Sequence, residues 1–123
     1  MITRIKLVSV WVSDQDKAYD FYVNKLGLEV KTDQTMPNGY RWLELAAPGS
    51  KTHLAVAKPN PGQKDATIGG FSSIGFDADD VQATYDDLVA KGVHFTEPLA
   101  KQPWGGLMAQ FADPDGNVFM LGG

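Results

Sequence analysis

The chain states one pattern twice. "LVSVWV" is short and β-branched, and "SDQDKAYDFYVNKLG" follows it. In that second stretch Ser13 or Asp14 suits a helix cap, and Ala18, Phe21, Tyr22 and Leu26 recur at helical spacing. Gly27 falls where a helix end takes a left-handed residue. "LEVKTDQ", "YRWLELA" and "THLAVA" then read as strands, the last two joined by a turn at Pro48 and Gly49. The second half repeats this order with "SIGFDA", the amphipathic "DDVQATYDDLVAKG", "VHFTEP", "LMAQFA" and "VFMLGG". Asp79 or Asp80 is the cap there and Gly92 the stop. A single offset lays Ala18 on Ala83, Gly27 on Gly92 and Leu28 on Val93. With one residue of slack it also lays Trp42 on Met108, Glu44 on Gln110 and Ala55 on Met120.

An internal βαβββ repeat fixes the fold class, because each copy can bury one sheet face beneath its own helix. The expectation is an α+β fold of two tandem modules in one domain, with module one at 1–59 and module two at 71–123. The Gly- and Pro-rich "NPGQKDATIGG" (60–70) is the expected linker. At 123 residues and 43% hydrophobic content the chain can build a packed core. A net charge of −4 gives no electrostatic reason to bind nucleic acid or an anionic membrane. The longest apolar runs are far short of a transmembrane span, and the Met1 end starts directly into a strand without a signal-like layout. The absence of Cys excludes disulfides, thiolate catalysis and cysteine-based metal sites. A soluble, cytoplasmic protein is expected.

"VSDQDKAYDFYVNKLGLEV", "IGFDADDVQATYDDLVAKGV" and the hairpin "FADPDGNVFML" resemble the vicinal-oxygen-chelate superfamily, that of glyoxalase I, bleomycin-resistance proteins and extradiol dioxygenases. The resemblance covers nearly the whole chain. It implies curved sheets that form a cleft, usually in a homodimer. In metal-dependent members a divalent ion sits there on His and Glu from the first and last strands of each module. The matching positions here are Leu7, Ala55, Ser73 (or Ser72 with a one-residue slip) and Met120. None suits Zn²⁺, Ni²⁺ or Fe²⁺, which take imidazole, carboxylate or thiolate. The expectation is a member without the usual metal ligands, with no metal and no cofactor.

Strand alternation indicates what lines the cleft instead. Parity with Leu7 brings Ser9 and Trp11 inward, parity with Ala55 brings His53, and Met120 brings Val118. Leu43 and Leu45 suit the helix side, which leaves Trp42 and Glu44 for the cleft. The repeat adds Met108 and Gln110, and "KQPWGG" offers Trp104 at the rim. The expected ligand-binding set is thus Trp11, Trp42, Glu44, His53, Trp104, Met108, Gln110 and Met120, an aromatic pocket with a few polar groups. Plainer roles stand beside these. The tryptophans are also reasonable core filler, His53 a structural residue, His94 a surface residue and "DPDGN" a turn.

Three functions compete. The first is a metal-free small-molecule binding protein that sequesters a flat aromatic compound or antibiotic. The second is a lyase- or isomerase-type enzyme with Glu44 and His53 as an acid–base pair or a displaced metal site. The third is a structural dimer whose cleft is packed shut. A homodimer is expected under all three, because it buries open sheet edges.

Overall fold

In the computed structural model every residue but Lys64 is described; Lys64, within the expected linker 60–70, lies outside the described residues. The chain divides into two compact units, Met1–Ile68 and Gly69–Gly123. The first contains β1 (Leu7–Trp11), α1 (Gln15–Tyr19) continued by a π-helical segment (Asp20–Lys25), β2 (Glu29–Thr35), β3 (Arg41–Ala46) and β4 (His53–Ala57). The second contains β5 (Gly70–Asp77), α2 (Val81–Ala90), β6 (His94–Lys101), β7 (Leu107–Ala112) and β8 (Asn117–Gly122). The sheets run β1-β4-β3-β2 and β5-β8-β7-β6. In each, the first strand is parallel to the last and the remaining pairs are antiparallel. The fold is α+β, two tandem βαβββ modules.

The registers show why the repeat is real. Glu44 pairs with Ala55, and Gln110 pairs with Met120. Beyond the opposite-face residues Glu44, Ala46, Ala55 and Ala57, which are also buried in the first unit, each unit buries one main sheet face. In the first this is aliphatic: Val10, Val12, Leu43, Leu45, Leu54 and Val56, together with Ala18, Phe21 and Tyr22 of the helical stretch. In the second it is aromatic. Phe111 and Phe119 stack at 5.6 Å, Phe76 lies 5.4 Å from Phe119, and Tyr85 of α2 meets Phe95 at 4.5 Å. Full burial of each such side chain is worth about 1.5–3 kcal/mol.

Both helices start on an aspartate and stop on a glycine. The Asp14 carboxylate accepts from the Asp16 and Lys17 N–H groups, and that of Asp80 accepts from Ala83 N–H. Gly27 (φ 80°) and Gly92 (φ 82°) take the left-handed conformation that ends them. The stretch from Asp14 to Gly27 is one residue longer than that from Asp80 to Gly92. The extra residue is absorbed as a π-helical segment, where Leu26 N–H reaches back five residues to Phe21 C=O at 3.0 Å. This is separate from the slack at Trp42 and Glu44, which lies after Gly27.

Gln15, the first residue of α1, is buried and has no counterpart in kind; Val81 opens α2. Its amide Nε2 donates to Arg41 C=O at 3.0 Å and Val56 C=O at 2.9 Å. The β3–β4 register runs over Glu44–Ala55 and Leu45–Leu54, and Gln15 satisfies carbonyls of both strands beyond it. In the second unit the β7–β8 ladder continues from Met108–Gly122 to Ala112–Val118. Arg41 ties strand to helix from the same end. Its guanidinium grips Asp33 with two bonds of 2.8 Å and reaches Asp16 at 2.9 Å. The hydrogen bond from Arg41 holds the Asp33 carboxyl below the usual carboxylate range, and Asp33 in turn pushes the guanidinium pKa up.

"DPDGN" is a locked turn. Asp113 accepts from the Asp115 and Asn117 N–H groups and from the Asn117 amide, and Asn117 accepts from Gly69 N–H at 2.8 Å. Both side chains are buried.

Candidate functional site

Residues opposite one another in a sheet share a face. β1 and β4 pair as Leu7–His53, Ser9–Ala55 and Trp11–Ala57, while β3 adds Glu44 opposite Ala55. Trp42, two residues from Glu44, is on the same side, which is opposite to that of Leu43 and Leu45. Ala55 and Ala57 make a low floor along β4, with Trp11 rising from β1 and Trp42 from β3. Those two strands flank β4, so they are about 10 Å apart at the usual strand spacing. Both rings are half-buried.

Glu44 is diagonal to His53 across the β3–β4 pair. Its Oε2 lies 3.5 Å from His53 Nδ1, an ion-pair distance when the imidazole is protonated. The contact misses hydrogen-bond geometry, so Nδ1 is buried without a hydrogen-bond partner. Glu44 is only 8% exposed, and a carboxylate so placed is costly without compensation. β2 completes this face with Thr32 opposite Glu44 and Gln34 opposite Trp42. Sequence reasoning missed these two. Alternation along "LEVKTDQ" is the signal for them, but a register shift between Val30 and Thr32 resets it.

In the second unit Met108, Gln110, Val118 and Met120 are half-buried and share a face, with Gly75 opposite Met120. A cavity of about 290 Å³ opens along the β6–β7 edge, lined by Glu97, Pro98, Ala100, Gln102, Met108 and Gln110 among others. Register shifts on either side of Glu97 bulge β6 there. Trp104 stands apart on the β6–β7 loop and is 69% exposed. His94 is exposed. The structure thus gathers Trp11, Trp42, Glu44 and His53 on one sheet, and Met108, Gln110 and Met120 on the other.

At the positions of the superfamily's metal ligands the residues do not fit a metal. Leu7 and Ala55 are hydrocarbon, and Met120 offers only a soft thioether. β5 departs further. Its register steps from Phe71–Val118 to Gly75–Met120, and the residues between form a bulge in which Ser73 has φ 62°. Ser72 Oγ is already engaged, donating to Val118 C=O at 2.7 Å. Among the described residues no three His, Cys, Asp or Glu side chains are grouped to hold an ion. No helix among them is long and apolar enough to cross a membrane.

Such a pair of βαβββ units, with apolar groups at the ligand positions, defines a class before any particular relative is considered. The family model for the Glyoxalase/Bleomycin resistance protein/Dioxygenase superfamily matches residues 4–121, and the chain belongs to that superfamily. It is 36% identical over 121 residues to YetH of Bacillus subtilis (strain 168), an uncharacterized protein, covering 98% of both chains. Among solved structures it is similar to a superfamily member from Sphaerobacter thermophilus DSM 20745, with TM-score 0.90 and 37% identity over 98% of this chain and 97% of that one. It is also similar to TnmS3, an antibiotic binding protein from Streptomyces sp. CB03234. There the TM-score is 0.83 and the identity 38%, over 98% of this chain and 95% of that one.

Proposed function

We propose that this protein is a metal-free binding protein for a flat aromatic small molecule of the antibiotic kind. The observation that carries this reading is the face of the first sheet: two tryptophans flank an alanine floor, with Glu44 and His53 at its side. Ala55 and Ala57 are themselves covered by their neighbours, so a ring meets the half-buried indoles first, and each aromatic contact adds about 0.5–1.5 kcal/mol beyond area burial. Similarity to an antibiotic binding protein supports the reading. Met108, Gln110, Met120 and Trp104 are proposed as a second set of contacts. The working form is a cytoplasmic homodimer, which a monomeric elution volume at micromolar concentration would overturn.

The test is intrinsic tryptophan fluorescence against a panel of flat aromatic compounds and antibiotics, with and without Ni²⁺, Zn²⁺ or Mn²⁺. Saturable quenching that ignores the metals is expected, weakened about tenfold in Trp42→Ala. A response to metals alone would sink the reading.

A second reading rests on the 3.5 Å approach of His53 to Glu44, which suits an acid–base pair for proton abstraction next to a carbonyl. A turnover assay on carbonyl substrates separates the two. Loss of turnover in both Glu44→Gln and His53→Ala, with folding intact, supports catalysis; unchanged turnover in both removes it.

A further inference from the structure

We propose that the Glu44–His53 pair makes this face selective for a planar aromatic cation, and that protonation of His53 expels it. The inference deepens the proposed binding function and rests on it. Among the described residues, His53 is the sole ion-pair partner of Glu44. The Glu44 side chain is 11% exposed, so its carboxylate sits low on the face. The imidazole is a conditional partner, since it carries charge only when protonated. Its Nδ1 makes no hydrogen bond that would compensate the carboxylate in the neutral state.

A neutral His53 therefore leaves a nearly buried anion beside the tryptophan pair without a counter-charge. A delocalised cation on a fused ring system answers both features, because it neutralises Glu44 and is attracted to indole faces. A neutral ring of equal size gains only the stacking. Once His53 takes a proton, Glu44 has its own cation, and an incoming positive charge meets repulsion instead.

Few other charges on this face compete. β1 presents Leu7, Ser9 and Trp11, and β4 presents alanines beside His53. β3 adds no titratable group besides Glu44. β2 brings Glu29, opposite Ala46, whose carboxylate already has Lys31 Nζ at 3.9 Å.

The experiment is a fluorescence titration with ethidium, a permanent planar cation, and phenanthridine, its uncharged parent ring, from about pH 5.5 to about pH 8, where histidines change charge. Ethidium is expected to bind about tenfold tighter at the upper end than at the lower, and tighter there than phenanthridine. Glu44→Gln should remove the preference for the cation. His53→Gln should flatten the pH dependence while keeping the preference. Circular dichroism melts establish that both variants fold. Phenanthridine binding as tightly as ethidium at the upper pH would overturn the inference and leave the binding function standing. An unchanged pH dependence in His53→Gln would overturn the role of the imidazole. Binding of neither probe would remove the inference together with the aromatic-binding reading beneath it.

Discussion

Glu44 opposite Ala55 in the first unit and Gln110 opposite Met120 in the second occupy the same places in two copies of one sheet, yet present different chemistry. The first copy has a short floor, tall indoles and a charge. The second has long thioethers and a neutral amide. Their interiors differ as well, since aliphatic side chains fill the first and stacked phenylalanines the second. The β3–β4 pair of the first is completed by a helix side chain, whereas the β7–β8 pair of the second needs none. A duplicated architecture fixes where side chains point and leaves open what they are. A carboxylate is present in both copies, as Glu44 near the indoles and as Glu97 opposite Gln110.

The largest way to break this comparison is through the cores. Phe119→Ala should cost about 3–5 kcal/mol, since the ring is fully buried against Phe76 and Phe111. Leu54 holds the equivalent place in the first unit, and Leu54→Ala should cost less in the same urea titration. The reverse order would mean that the aromatic stack is not the stronger core.

A middle-sized effect is expected at the helix starts. Gln15→Leu should destabilise by about 1–3 kcal/mol, because two carbonyls lose their donor. Hydrogen exchange should then quicken in β3 and β4 before it does in β7 and β8. Equal loss of protection in both pairs would argue against Gln15 as a local tie.

The smallest effect concerns charge. Leu107 stands where Arg41 does, so the Arg41–Asp33 pair belongs to the first unit alone. The folded pKa of Asp33 is depressed by Arg41, so its stabilisation is present above the ordinary carboxylate pKa. It is lost as pH falls through the lower, folded value. Asp33→Asn should cost under about 1 kcal/mol at neutral pH, given its partial exposure, and nearly nothing in acid. A urea midpoint shifted equally at both pH values would contradict this.

Most of the fold was legible because it is periodic. The buried Leu43 and Leu45, the two caps and the two terminal glycines all follow from local spacing. Alternation also separates the face of Trp42 and Glu44 from that of the leucines. What it carries is orientation, and a ligand's use of these residues remains a proposal. Features that depend on a distant partner left no local trace. Gln15 reads as an ordinary helix residue until Arg41 and Val56 are placed beside it. The β5 bulge exists only relative to β8, and nothing about Ser73 by itself announces a positive φ.

The π-helical turns between Asp20 and Lys25 bear on how such a repeat can drift. An inserted amino acid there is stored inside the helix, so the cap before it and the glycine after it stay in phase with the strands on either side. The gene can therefore gain or lose one codon in this segment while the registers of both neighbouring strands are preserved. After a duplication, the two copies are free to differ in length at that point without either sheet having to be re-paired.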